Sequence, residues 1–232
     1  DRLLDRGCLG ISLPAGALAG IDALTRMRPL LNRLQDADAP LFVHPGPGPH
    51  AGLAAQAVGE PSLADPLWWS ALTRYVAEMH AAWLTFVSAG RAEHRELRVI
   101  FSMLAGLAPL HAERLSSRGG PAPLRDDPLT FYETSSYGPD STRRIADVVG
   151  AEQLLYGSDR PVVDPSEHGA PSERDWAVIA ETTRRVFGER LAGPAVVGVG
   201  AQTRAAGRSD DVSVEPQIVR IAAAPRSGAL VR

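Results

Sequence analysis

Gln153-Leu154-Leu155-Tyr156-Gly157-Ser158-Asp159-Arg160-Pro161 opens as a short apolar run and breaks within a few residues at a glycine, a carboxylate and a proline. Such a run is the length of a buried strand, and glycine and proline punctuate its end. A loop through Pro171 follows. Ser172 to Phe187 then reads as a helix closed by Gly188. A strand, a loop bearing a carboxylate and an amphipathic helix make one βα unit.

Working upstream, the same unit recurs. Leu129 to Ser135 reads as a strand, and Asp140 to Val149 as a helix closed by Gly150. Leu97 to Leu104 reads as a strand, and Pro109 to Ser117 as a helix. Pro40 to His44 is a strand that runs into the rigid Pro45-Gly46-Pro47-Gly48-Pro49 loop. A long loop to Pro66 leads to a helix from Leu67 to Ala89, with Trp68, Trp69 and Trp83 on it and Gly90 at its end. Cys8 to Leu13, closed by Pro14, is the first strand. Leu24, Met27, Leu30, Leu31 and Leu34 then recur at helical spacing over Ile21 to Ala37, with Asp22 as a cap and Pro29 inside. About five βα units in series predict a parallel sheet with helices outside it. A doubly wound open sheet and a TIM-type barrel both fit, and periodicity does not choose between them. Residues 191–232 lack clear periodicity and read as an irregular tail after a domain spanning 1–190.

The chain has 232 residues and a formal net charge of −3, which gives no basic patch for nucleic acid. No run of about 18 apolar residues is present, so no membrane span is expected. The single cysteine, Cys8, excludes an intramolecular disulfide and a cysteine-based zinc site, and points to a cytoplasmic setting. All 24 basic residues are arginine, scattered along the chain in a way that reads as codon bias.

In a parallel barrel the C-terminal strand ends share one mouth, so polar groups there carry the chemistry. The ends offer Ser12, His44, Met103, Ser135-Ser136 and Ser158-Asp159. His44 follows three apolar strand residues on a stiff backbone, where an imidazole can bind a metal, move a proton or simply hydrogen-bond a carbonyl. Asp159 can bind a metal and take a proton from its bound water, or cap the next turn. His50 lies in the loop after His44. Trp68 and Trp69 can wall a pocket for a flat substrate, or pack their helix. His80, His94 and His111 read as structural residues on helices or at the surface. No Gly-x-Ser-x-Gly elbow and no phosphate-cradling glycine loop are present.

Phe42-Val43-His44-Pro45-Gly46, then Val99 to Pro109, then Phe131-Tyr132-Glu133-Thr134-Ser135-Ser136, then Leu155 to Pro161 resemble, in order, strand-end motifs of the amidohydrolase-2 family. That family belongs to the metal-dependent amidohydrolase superfamily and includes aminocarboxymuconate-semialdehyde decarboxylase and related decarboxylases. The resemblance covers roughly residues 7–190. It implies a (β/α)₈ barrel of which the last five units are present. It implies that His44 and Asp159 bind a divalent metal, usually zinc, and that Asp159 is also the acid/base. It implies a hydrolase or decarboxylase acting on a small, carboxylate-bearing molecule. Tyr156 and Arg160 beside Asp159, with His50, Trp68 and Trp69, read from their own positions as candidate substrate-binding residues.

Two departures accompany it. The family's His-x-His pair on the first strand has no counterpart here. Met103 stands where the sixth strand often ends in a histidine. These departures favour a second reading, a non-catalytic scaffold that binds a ligand or partner without metal. Five parallel strands cannot close, so the three remaining units are expected to be supplied by another chain, with a homo-oligomer one form of that, or to have been removed or lost through an altered reading frame.

Overall fold

A computed structural model of the chain describes residues 2–5, 7–48, 62, 64–66, 68–120, 127–159 and 173–187. Five short parallel strands form one sheet: β1 (Ile11–Pro14), β2 (Leu41–His44), β3 (Val99–Phe101), β4 (Thr130–Glu133) and β5 (Leu154–Leu155). A short helix, α1 (Arg2–Asp5), precedes β1, and another, α5 (Ala112–Ser117), lies between β3 and β4. Their spatial order equals their order in sequence. That order resolves what periodicity left open. A doubly wound sheet reverses direction once, whereas here every crossover moves one strand onward. With the usual right-handed crossovers, all helices then fall on one face, as in an arc of a barrel.

The side chains bear out that geometry. Leu13, Leu41, Val43, Val99, Phe101, Tyr132 and Leu154 share a buried cluster with Leu24, Leu31 and Leu34 of α2 (Ile21–Asp36). Met79 and Trp83 of α4 (Arg74–Thr85) join it, as do Ile145 and Val149 of α6 (Pro139–Val149). This is the helix-covered face. Residues of opposite parity, Phe42, Ile100, Phe131 and Leu155, form a second cluster on the inner face. Strand alternation with a period of two requires this division. In the outer core the indole Nε1 of Trp83 donates to the Tyr132 hydroxyl at 3.1 Å. Tyr132→Phe should cost about 1–3 kcal/mol, because it leaves that buried N–H without an acceptor; urea unfolding of the two proteins measures it.

The last helix, α7 (Glu173–Phe187), departs from a purely outer position. Val186 and Phe187, at its end, pack with Ile100, Phe131 and Leu155 of the inner cluster, and the Arg185 guanidinium lies 5.5 Å from the centre of the Phe131 ring.

Several boundaries differ from those read in the sequence. The helix expected from Leu67 to Ala89 is broken at Thr73 (φ −116°, ψ −80°) into α3 (Trp69–Leu72) and α4. It is not ended by Gly90: a π-helical turn over Phe86–Gly90 carries it into a short helical turn at Arg91–Glu93. Asp22 sits in the first turn of α2, and Gly20 holds the cap position. Strand β3 stops at Phe101, well short of Leu104. The apolar run after it becomes a left-handed turn with positive φ at Met103, Leu104, Ala105, Gly106 and Leu107. An apolar run carries no mark that distinguishes these outcomes. His94 lies fully buried rather than at the surface, with neither ring nitrogen hydrogen-bonded. The tail, 191–232, lies outside the described residues.

Candidate active site

Parallel strands place all their C-terminal ends along one edge, and three ionisable groups from distant parts of the sequence stand on it: His44 on β2, Glu133 on β4 and Asp159 just after β5. Two loops hold His44 in place. Gly46 has φ 149°, and its carbonyl accepts from the Gly16 N–H at 3.0 Å. Gly16 and Gly48 meet backbone to backbone, so a Cβ at Gly16 would fall 2.0 Å from the Gly48 nitrogen. The imidazole pairs through Nδ1 with the Pro45 carbonyl at 2.6 Å. Nδ1 therefore carries the proton and Nε2 keeps its lone pair. Burial lowers the pKa of the ring from its usual value, against the opposing pull of Pro45, so it is neutral near pH 7.

Asp159 has a left-handed backbone, φ 56°, and accepts a hydrogen bond from the Ser136 hydroxyl, itself on a left-handed residue with φ 65°. The segment after β4 thus braces the segment after β5. Thr134 N–H donates to the Leu155 carbonyl at 3.0 Å, and Gly157 N–H donates to the Thr134 hydroxyl at 3.2 Å.

Glu133 is the member of this edge that sequence reasoning missed. It is only 7% exposed. Its Oε1 accepts from the Ser135 N–H at 2.8 Å and from the Ser135 hydroxyl, while Oε2 has no hydrogen-bond partner. Burial pushes its carboxyl up to about 7. The Ser135 donors and the Met103 amide pull the other way, and the nearby Asp159 charge adds to the rise. Gly157 is required by it: a Cβ there would fall 0.9 Å from Oε1 of Glu133. A signal was available. Glu133 lies two residues beyond Phe131, just as His44 lies two beyond Phe42, so both share the inner face.

The other residues singled out in the sequence are placed less centrally. Tyr156 is half-buried directly after β5. Trp68 and Trp69 are 56% and 42% exposed, with ring centres 5.8 Å apart, at the start of α3. His50 and Arg160 lie outside the described residues. Met103 contributes a backbone amide toward Glu133 rather than a side-chain acid or base. Among the described residues no three His, Cys, Asp or Glu side chains gather as a metal site. Nor is any helix among them long and apolar enough to cross a membrane.

No family model and no curated protein sequence matches the chain. Solved structures do match it in fold. One is 5-carboxyvanillate decarboxylase from Sphingomonas paucimobilis, with 15% identity over 68% of this chain and 52% of that one, and a TM-score of 0.51. A second is dihydroxybenzoic acid decarboxylase from a Polaromonas species, with bound manganese and the inhibitor 2-nitroresorcinol. It shows 16% identity over 69% and 53%, and a TM-score of 0.52. A third is 4-oxalomesaconate hydratase from Rhodopseudomonas palustris, with 15% identity over 82% and 59%, and a TM-score of 0.57. The chain spans between half and three-fifths of the length of these three. The fold is therefore that of a partial (β/α) barrel, similar to part of the barrels in these structures.

Proposed function

We propose that the chain is the mouth-bearing part of an amidohydrolase-family enzyme, a hydrolase or carboxy-lyase acting on a small carboxylate-bearing organic molecule. The observation that carries this reading is the single edge on which His44, Glu133 and Asp159 stand, in an arc of strands of sequential order. The carboxylates in the substrate names of the matched structures support the substrate class, and the manganese in one of them supports a divalent metal. His44 through Nε2 and Asp159 through its carboxylate are the donors that would hold it, zinc being the metal such an N/O pair commonly takes. A catalytic zinc usually takes three protein ligands. The described residues gather no such set, so further donors must come from outside them. When bound, such a metal supplies Lewis-acid polarisation and a more acidic water.

The chain's own residues do the rest. The neutral imidazole of His44 is fixed in one tautomer by Pro45, and Ser136 orients Asp159 for proton transfer. The second reading, a scaffold that binds a ligand without metal, is favoured by the thioether at Met103, which cannot move a proton. Elemental analysis of the purified 232-residue chain separates the two. Roughly stoichiometric metal, lost in Asp159→Asn, is the expected result. A folded, metal-free chain would support the scaffold.

A further inference from the structure

Across the inner face, His44, Ser102 and Glu133 stand on three neighbouring strands at one level. Strand register aligns Val43 with Phe101 and Phe101 with Tyr132, so the residues that follow fall in line. Ser102 is extended (φ −69°, ψ 169°), its N–H bonds the Val43 carbonyl, and its side chain therefore faces as Ile100 does. Both Ser102 and Glu133 are more than nine-tenths buried, and the Ser102 Oγ and the Glu133 Oε2 lack hydrogen-bond partners. One level below, the Ser12 Oγ is buried and unpartnered as well.

Leaving a buried polar atom unpaired costs about 1–3 kcal/mol, more when it is charged. Two such atoms on neighbouring strands, neither bonded to the other, call for a bridging group. The character of that group follows from what is already fixed. Oε1 of Glu133 is held by Ser135, and Gly157 leaves the space the carboxylate occupies. Where the carboxyl is ionised, above its value of about 7, Oε2 is left as an acceptor. Asp159 adds negative charge close by. A carboxylate would be repelled here, and a hydroxyl would be received.

We infer that Ser102 and Glu133 form a subsite that binds the hydroxyl-bearing edge of a small molecule, through the Ser102 Oγ and the Glu133 Oε2. This deepens the enzymatic reading, on which it rests for the identity of the mouth. It also orients the ligand: hydroxyl groups lie along β3 and β4, and the carboxylate lies away from them. Adjacent strands are about 4.8 Å apart, a spacing that two hydroxyls on alternate ring carbons can span.

The test uses the full chain at about pH 8.5, above the value of about 7 for the Glu133 carboxyl, and two matched probes, cyclohexane-1,3-diol and cyclohexanecarboxylate, with ligand-observed NMR titration at millimolar concentration. Wild type is expected to bind the diol and not the carboxylate. Glu133→Gln keeps a carbonyl for the Ser135 donors but puts an NH₂ where Oε2 was, turning acceptor into donor. Diol affinity should fall about tenfold, the worth of one good hydrogen bond, while the carboxylate gains binding. Ser102→Ala should weaken the diol severalfold, and its thermal midpoint reports that the fold persists. If Glu133→Gln does not fold, the Ser102→Ala titration decides alone. Undiminished diol binding in the folded variants, or no diol binding to wild type (a site filled by water only), overturns the inference. Metal content of the same samples is read separately, so a metal-free chain that binds the diol removes the metal reading while the subsite stands.

Discussion

Gly157→Ala should be among the most damaging single-methyl substitutions in this chain. The added Cβ would fall 0.9 Å from the Oε1 of Glu133 and 2.1 Å from its carboxyl carbon. The obstacle is a carboxylate pinned by the Ser135 N–H and hydroxyl, so it cannot swing aside without leaving buried donors unpaired. Overpacking of a tight site costs about 1–3 kcal/mol, and lost hydrogen bonds add to it. We expect a loss of about 3 kcal/mol or more in chemical denaturation, and detachment of the Asp159 segment, which Gly157 anchors through Thr134. Glu133→Ala in the same chain should restore part of the stability, since it removes the obstacle. Contacting residues of this kind couple by about 0.5–3 kcal/mol. Additive losses in the double variant would show that the two do not meet.

The second large effect is a dependence on pH. Burial raises the Glu133 carboxyl to about 7, from an ordinary value near 4.5. The folded state thus holds this proton more tightly than the unfolded state does. The group costs nothing below the unfolded value. Between pH 4.5 and 7 it lowers stability progressively, and above 7 the full cost is present. At 1.36 kcal/mol per unit, the loss is about 3 kcal/mol. Glu133→Gln has no such proton, so its stability relative to wild type should rise by that order across the same window. Parallel pH profiles for the two proteins would be the contrary result.

The alternation of elements was legible because five apolar strand runs, at 8–13, 40–44, 97–104, 129–135 and 153–156, are each followed by turn chemistry and a helical period. The choice of a barrel arc over a doubly wound sheet was not legible in the periodicity, because both share that period and differ only in strand order; it came from the resemblance of the strand-end motifs, and the strand order agrees with it. His44 and Asp159 were legible as polar groups at strand ends. Glu133 was hidden inside the run from Leu129 to Ser135, where parity rather than position marks it. The same run contains Tyr132, whose hydroxyl meets Trp83; nothing in the sequence separates that buried indole from the exposed Trp68 and Trp69. Gly157 carried the clue to Glu133, since glycine at a strand end often marks close approach by another group.

The left-handed stretch from Met103 to Leu107 has a consequence for the order of assembly. L-residues resist that hand by about 1–2 kcal/mol each, and only Gly106 among the five escapes the resistance. Such a mirror-image coil does not nucleate by itself. Leu104 and Ala105 are sealed in the outer core, so the packing of helices onto the sheet holds the turn in its hand. The Met103 amide that faces Glu133 is therefore set only once that packing is complete. We expect the rim beside Glu133 to form late in folding, and loosening the far side of the molecule should blur it before the sheet itself is lost.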